Sequence, residues 1–375
     1  MRGRILVVDH KTPTPDQDSG SASTFSYLQI LSRAGYDVTF APFDLAHAGD
    51  YTKAVNQLGI KTLAAPDWPT IQAVITAVAP RMDVLLLYRA PCAMRLFDLA
   101  RTQAPATRIL FHAVDLHFLR MQRQAEISGK QAAAQAALAM RATELDLVAR
   151  ADASIVVSQY ERNLLCELVP RAPVHQIPIL REAPRRESWF GSRLRRRRDL
   201  LFIGGFEHPP NGDAVHWFVR EVWPLLQARG FAHRFVIAGS KTPPDIAALA
   251  SDTIDVRDYV SDLAPLHASA RVSVAPLRYG AGIKGKIVSS LSYGVPVVAT
   301  TVAAEGAGLQ HGENILVADE PDAMAREIMR LYDDADLWRR LSANGLRSFE
   351  DLFSLAAGTP KLIAIMDELV ASPRH

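Results

Sequence analysis

At 375 residues the chain is too long for one ordinary domain and fits two of α/β size, and with 49% hydrophobic and 22% charged residues it can bury two cores. A formal net charge of +2 gives no global field for nucleic acid, and the two cysteines, Cys92 and Cys166, exclude a disulfide framework and a cysteine metal site. Residues 1–9 turn polar too early for a secretory leader, and no apolar run approaches the roughly 20 residues that cross a bilayer; a cytoplasmic protein is expected.

The chain opens with a strand at Ile5–Asp9, a polar loop at His10–Ser23 and helical periodicity from Thr24 to Arg33; Gly35 ends the helix before a second strand at Asp37–Ala41. That order predicts a right-handed parallel unit with its loop at the carboxyl end of the sheet, where ligands of such sheets bind. Asp16–Ser21 is therefore a candidate contact segment, with helix capping by Ser21 or Ser23 as the plain alternative. Val84–Tyr88 and Arg108–His112 read as buried strands. The second runs into Ala113–Arg120, where Asp115 and His117 form either an oriented imidazole for a hydroxyl or proton transfer, or a structural Asp–His hydrogen bond. A helix over about Lys130–Arg150, rich in alanine and leucine, reads as a packing element without chemistry. Ala153–Ser158 and Val174–Pro178 close the first half.

From Arg181 to Asp199 the apolar pattern lapses, and Arg185, Arg186 and Arg195–Arg198 make the stretch basic. It reads as a solvated linker or as a contact for anionic lipid head groups. The expected organisation is a domain over 1–180, a linker over 181–199, a second domain over 200–350, and a C-terminal helix at 351–375 placed to pack back on the first domain. The second half restarts at Leu200–Gly205, with a loop at Phe206–Gly212 and a helix over Asp213–Gln227 capped by Asn211 or Asp213. Strands follow at Arg234–Gly239 and Ile254–Val256, a helix capped by Ser261–Leu263 comes next, and helical periodicity runs from Pro321 to about Val370.

Val272–Thr300 carries the clearest chemistry. A β-branched strand stops at Arg278–Tyr279, and Gly280-Ala281-Gly282-Ile283-Lys284-Gly285-Lys286 forms a loop that brings bare backbone near a ligand. A helix to about Tyr293, closed by Gly294, leads into a strand at Pro296–Ala299. Backbone N–H groups at a helix start, with Arg278, Lys284 and Lys286 beside them, suit a diphosphate; a solvated basic loop is the plain alternative. Gly280, Gly282 and Gly285 also satisfy G-x-G-x-x-G, with Glu305 near the spacing of a ribose-binding acid, so a dinucleotide site is a minor alternative.

Four stretches together resemble a known family: Asp16–Ser21, Val114–Arg120 (VDLHFLR), Phe202–Phe218 (FIGGFEHPPNGDAVHWF) and Ala275–Thr300. In that order they resemble the GT-B glycosyltransferases of the retaining group called family 4 or group 1. The resemblance implies an α/β fold of two doubly wound, Rossmann-like parallel-sheet domains, a nucleotide sugar held by the second and a glycan or lipid-linked acceptor held by the first, with no cofactor and no metal. Gly204, Gly205, Arg278, Gly282, Lys284 and Lys286 are then expected at the donor diphosphate, and Tyr259, Val260, Ser289 and Glu305 at the nucleoside. Asp115 and His117 would reach the transferred sugar and share catalysis with Lys284. Asp18, Ser19, Gly20, Ser21 and Arg120 would meet the acceptor.

The pattern has departures. Members of the family usually carry two glutamates eight positions apart, the second holding the ribose hydroxyls; here the matching positions are Ala281 and Ser289. The arginine and lysine usual in the first donor-domain loop are absent from Phe206–Gly212. Lys284 and Lys286 replacing the missing cations is the favoured reading. An unusual donor, or a domain that only binds a sugar or partner, are the others. A nucleotide-sugar 2-epimerase shares the fold but needs paired carboxylates that the cleft-facing loops do not supply. Asp16-Gln17-Asp18 lies in the first-domain loop, where no metal would bridge donor phosphates.

Overall fold

The computed structural model describes residues 2–184 and 194–372; Arg185, Arg186 and the rest of 185–193 lie outside the described residues. The chain folds as two compact units. The first takes the chain up to Pro15, Gly20–Arg181 and the chain from Leu355 onward, and the second takes Asp16–Ser19 and the chain from Glu182 to Ser354.

The first unit is built on a seven-stranded sheet in the order β3-β2-β1-β4-β5-β6-β7. Its strands are β1 (Arg4–Asp9), β2 (Asp37–Pro42), β3 (Lys61–Thr62), β4 (Val84–Tyr88), β5 (Arg108–His112), β6 (Ala153–Val156) and β7 (Val174–Gln176). Every pairing is parallel. This explains the unbroken apolar runs: the central strand β4, VLLLY, is fully buried because crossover helices cover both faces of such a sheet. The C-terminal helix Leu355–Ala371 belongs to this unit, with Leu362, Ile365, Met366 and Leu369 in the core that holds Ile5, Val7, Leu86 and Ile155. Gly358 lies against Leu180 so closely that a Cβ there would come within 2.1 Å of the leucine. Leu355 N donates to Arg181 O (3.1 Å), so the chain re-enters the unit beside the point where it left.

The second unit has six parallel strands in the order β10-β9-β8-β11-β12-β13. They are β8 (Asp199–Ile203), β9 (Phe235–Ala238), β10 (Ile254–Arg257), β11 (Ala270–Ala275), β12 (Val297–Ala299) and β13 (Leu316–Val317). In both sheets the first strand has earlier-following strands on one side and later ones on the other. The order therefore reverses between β1 and β4 in one unit and between β8 and β11 in the other, and ligands of open α/β sheets bind outside the carboxyl ends at such a reversal.

Two expected boundaries move. The first helix is Ser19–Arg33, so it begins five residues before Thr24 and takes in Ser19, Gly20 and Ser21. The helix expected over 213–227 instead starts at Pro209, is interrupted by a π turn at Phe218–Val222 and resumes over Trp223–Ala228. A proline suits a first helical turn, where its missing N–H has no intrahelical partner to lose. Neither Asn211 nor Asp213 caps this helix, whose N-cap is His208.

Candidate functional site

In the second unit, β8 ends at Ile203 and turns at Gly204–Gly205. A Cβ on Gly204 would sit 2.8 Å from the Asn211 side chain, so a glycine is what lets Asn211 lie against the turn. The buried Asn211 amide works in two directions. Its Nδ2 donates to Gly205 O (2.7 Å), and its Oδ1 accepts from Lys286 Nζ (2.6 Å). The turn after β8 is thus tied to the helix Gly285–Ser292 that follows β11, across the reversal in strand order.

The glycine loop on the other side of the reversal keeps its shape through a lysine. Gly280 and Gly282 hold φ of 157° and 64°, a region that disfavours side chains. Lys284, only 6% exposed, turns back and donates to Ala281 O (3.0 Å) and Gly282 O (2.6 Å). It is also the N-cap of the helix Gly285–Ser292, which has no side-chain cap, so the helix start offers backbone N–H groups and the positive end of its dipole. Lys286 lies 4.9 Å from the Phe202 ring centroid; burial, then the Lys284 charge, push its ammonium down to about 7.

Other residues expected at the donor are engaged differently. Arg278 forms a two-pronged ion pair with Asp213, with Nε donating to Oδ2 (2.9 Å) and the second prong to Oδ1, so its charge is balanced by that carboxylate in this structure. Ser289 is buried, and its Oγ shares a 3.1 Å hydrogen bond with Nε2 of the fully buried His267, which stacks on Tyr293 at 4.3 Å. Tyr259 Oη donates to the Asp16 carboxylate, and Val260 packs against the apolar core of Leu201 and Val236. Glu305 is half-buried just after the short helix Thr301–Ala304. Gln17 O accepts from Ser240 Oγ (3.3 Å), so the Asp16–Ser19 stretch, with Asp18 and Ser19, groups with the second unit and not with the first. Ser21 is fully buried in the first helix, and Gly20 lies in the same turn.

In the first unit the carboxyl edge is acidic and closely paired. Asp115 accepts from Arg120 Nη1 (2.5 Å), and its other oxygen lies 3.4 Å from His117 Nε2, so the Asp115, His117 and Arg120 side chains form one cluster, each at least 13% exposed. His117 opens the helix His117–Ser128, and two buried glutamates cap that helix. Glu144 accepts from His117 N (3.0 Å) and Phe118 N (2.8 Å), and Glu161 accepts from Leu116 N (2.9 Å) while forming a capping box with Ser158. Burial raises the Glu144 carboxyl to about 7, although the His117 charge and both N–H donors pull the other way. The helix Gln131–Arg150, read as plain packing, therefore carries the residue that fixes the backbone of His117. Its signal in the sequence was a lone glutamate in register with Ala137, Leu147 and Val148, the helix's other buried residues.

Asp9, at the end of β1, is a second residue whose role only tertiary structure reveals. It is 1% exposed and accepts from Arg89 Nε (2.8 Å) and Thr24 Oγ1 (2.7 Å), with His10 Nδ1 at 3.0 Å. Burial alone would raise its carboxyl, but the Arg89 guanidinium and His10 hold it well below the usual range. Arg89 (φ 63°) and Val114 (φ 68°), which directly or closely follow β4 and β5, both occupy the left-handed region, where a non-glycine residue costs about 1–3 kcal/mol. Such strain gathers at functional edges. Among the described residues no group of three His, Cys, Asp or Glu side chains is arranged to hold a metal ion, and no helix is long and apolar enough to cross a membrane.

Comparison with known proteins bears on the fold. Residues 197–334 match the family model for glycosyl transferases group 1. A curated relative, an uncharacterized 44.6 kDa protein in the cps region of Klebsiella pneumoniae, is 22% identical over 162 residues, covering 41% of this chain and 42% of that protein. The match thus spans about two-fifths of the relative's length. Among solved structures, sucrose-phosphate synthase from Thermosynechococcus elongatus aligns with a TM-score of 0.74 at 16% identity over 98% of this chain and 99% of its own. Anabaena HepE in complex with UDP-glucose gives 0.73 at 15% over 98% and 100%. An S. aureus TarM mutant in complex with fondaparinux, α-GlcNAc-glycerol and UDP gives 0.72 at 10% over 99% and 100%. The chain has the GT-B fold.

Proposed function

We propose that this chain, a GT-B protein whose residues 197–334 carry the glycosyl transferases group 1 pattern, moves a sugar from a nucleotide diphosphate to a glycan or lipid-linked acceptor without a metal and with retention. The observation that carries the reading is the arrangement at the β8/β11 reversal, where the Gly204–Gly205 turn, Asn211, Lys286 and the uncapped start of Gly285–Ser292 converge. The UDP-glucose and UDP complexes of HepE and TarM support the donor class, and the cps-region relative supports a role in surface polysaccharide assembly.

The chemistry asks mainly for electrostatics. As the glycosidic bond breaks, negative charge grows on the leaving diphosphate and positive charge on the sugar. Fixed N–H dipoles and lysine ammonium groups that meet the first lower the barrier selectively, because they bind the transition state more strongly than the ground state. In the first unit, His117 held by Asp115 is the group for a hydroxyl of the transferred sugar or the acceptor, and Arg120 completes the acceptor contact by holding Asp115. Ser289 and Glu305 are the remaining candidates for the ribose, with neutral groups at Ala281 and Ser289 relaxing the grip on it. The leaving phosphate takes the acceptor proton on the face it departs from.

The test is turnover of a donor panel, UDP-, GDP- and TDP-sugars, followed by mass spectrometry. Slow release of free sugar and nucleoside diphosphate without acceptor supports the transferase. Reversible epimerisation without release replaces it with an isomerase, and binding without turnover replaces it with a sugar-binding protein, the reading that the missing glutamates favour.

A further inference from the structure

We infer that diphosphate binding at the β8/β11 reversal takes up a proton from solvent onto Lys286 Nζ, and that Asn211 is the positioning residue that presents this nitrogen to the ligand. The inference rests on the reading that the site receives a nucleotide diphosphate. It adds that the site is charged by its own ligand.

The geometry leads there in three steps. Lys286 Nζ has no counter-ion in contact: its partners among the described residues are the Asn211 carbonyl oxygen at 2.6 Å and the Phe202 ring at 4.9 Å, with no carboxylate in ion-pair contact. An ammonium group in such a place lacks a counter-ion, which disfavours its charged form. The charged groups on the elements packed around it do not supply one. Lys284, from the glycine loop, repels it, and Asp213, on the same helix as Asn211, is spent on Arg278. The amine is accordingly held down to about 7, with burial as the larger cause and Lys284 as the smaller.

A diphosphate outweighs both causes, since it brings the missing negative charge to a buried amine and to a lysine pair that otherwise repels itself. The N–H bond forms on Nζ, the proton comes from water or buffer, and no other bond changes. The sign follows from linkage. Below about 7 the lysine already carries its proton and binding exchanges none; above that value binding must draw one in, and affinity falls by up to about tenfold per pH unit. Asn211 enters because the same amide that accepts from Lys286 fastens the Gly204–Gly205 turn, so the cation and the turn's N–H groups face one ligand in fixed register. Its truncation leaves the lysine without that anchor.

The experiment is isothermal calorimetry on the full chain with UDP-glucose, GDP-mannose and TDP-glucose, whose diphosphate diesters have no proton to exchange near neutrality. Each titration is run in two buffers of different ionisation enthalpy, near pH 6 and near pH 8. The expected result is uptake of about one proton at the higher pH and nearly none at the lower, abolished in Lys286→Arg, whose guanidinium is charged throughout. Asn211→Ala should weaken binding about tenfold in both conditions while uptake persists. Binding without uptake in the wild type overturns this inference and leaves the donor site standing. Uptake that persists in Lys286→Arg overturns the assignment to this residue. No binding of any of the three overturns the inference together with the donor reading.

Discussion

The carboxyl edges of the two sheets have the same topology and opposite chemistry. At the second, backbone N–H groups, Lys284 and Lys286 gather where strand order reverses, and Asp213, on the helix that carries Asn211, is already paired with Arg278. At the first, carboxylates predominate: Asp9 binds Arg89, Asp115 binds Arg120, and Glu144 and Glu161 cap the helix that carries His117. One edge suits an anion. The other suits hydroxyls and developing positive charge. The contrast teaches that a reversal point supplies a place, and that its lining decides what the place binds.

The sharpest way to break the contrast is to remove charge from the cationic edge. Lys284→Ala should lower kcat/KM by about a hundredfold, because it deletes a cation and also frees the carbonyls of Ala281 and Gly282 that the side chain now fastens. Steady-state kinetics with the active donor checks this. On the acidic edge, Glu144→Ala should destabilise the chain by about 1–3 kcal/mol in urea unfolding, since two N–H groups of the helix start, that of Phe118 buried, lose their acceptor.

Glu144 also gives a pH signature. Its carboxyl is raised from 4.5 to about 7 in the fold, so its contribution to stability is complete below 4.5 and is lost as pH rises through 7. The wild type should therefore lose stability relative to Glu144→Gln across that interval. A thermal melting series of both proteins reads the difference directly.

Smaller effects sharpen the comparison. Gly204→Ala should cost about tenfold in nucleotide affinity, because the new methyl meets Asn211 at 2.8 Å and displaces the amide from Lys286. Arg278→Ala should change affinity less than about threefold, as its charge is already balanced by Asp213 in a partly exposed pair. A loss as large as that of Lys284→Ala would show that the guanidinium leaves Asp213 to meet the ligand.

The sequence made the strands and the glycine loop readable because both are local. A buried parallel strand is a continuous apolar run, and a loop needing positive φ selects glycine, as at Gly280 and Gly282. The start of the first helix was not readable, since its opening turns are buried through Ser21, Ala22 and Ser23, small residues that leave no hydrophobic period. Glu144 escaped notice because only packing shows which face of an alanine-rich helix turns inward. The Asp9–Arg89 pair joins residues that are 80 positions apart, and no spacing rule reaches that far. The Arg278–Asp213 pair was hidden for the same reason: the charge is local, but its partner lies 65 residues upstream. Asn211 looked like a helix cap, but the helix already starts at Pro209, and its hydrogen bond from Lys286 depends on a helix that begins more than seventy positions later.

The account stands on the donor edge of the second unit, and a thermal-shift screen of wild type and Lys284→Ala against UDP, GDP, TDP and their sugars tests it most directly. It predicts that one base series raises the wild-type melting temperature by several degrees at saturating ligand and leaves Lys284→Ala nearly unmoved. Equal shifts in both proteins, or none in the wild type, would contradict it.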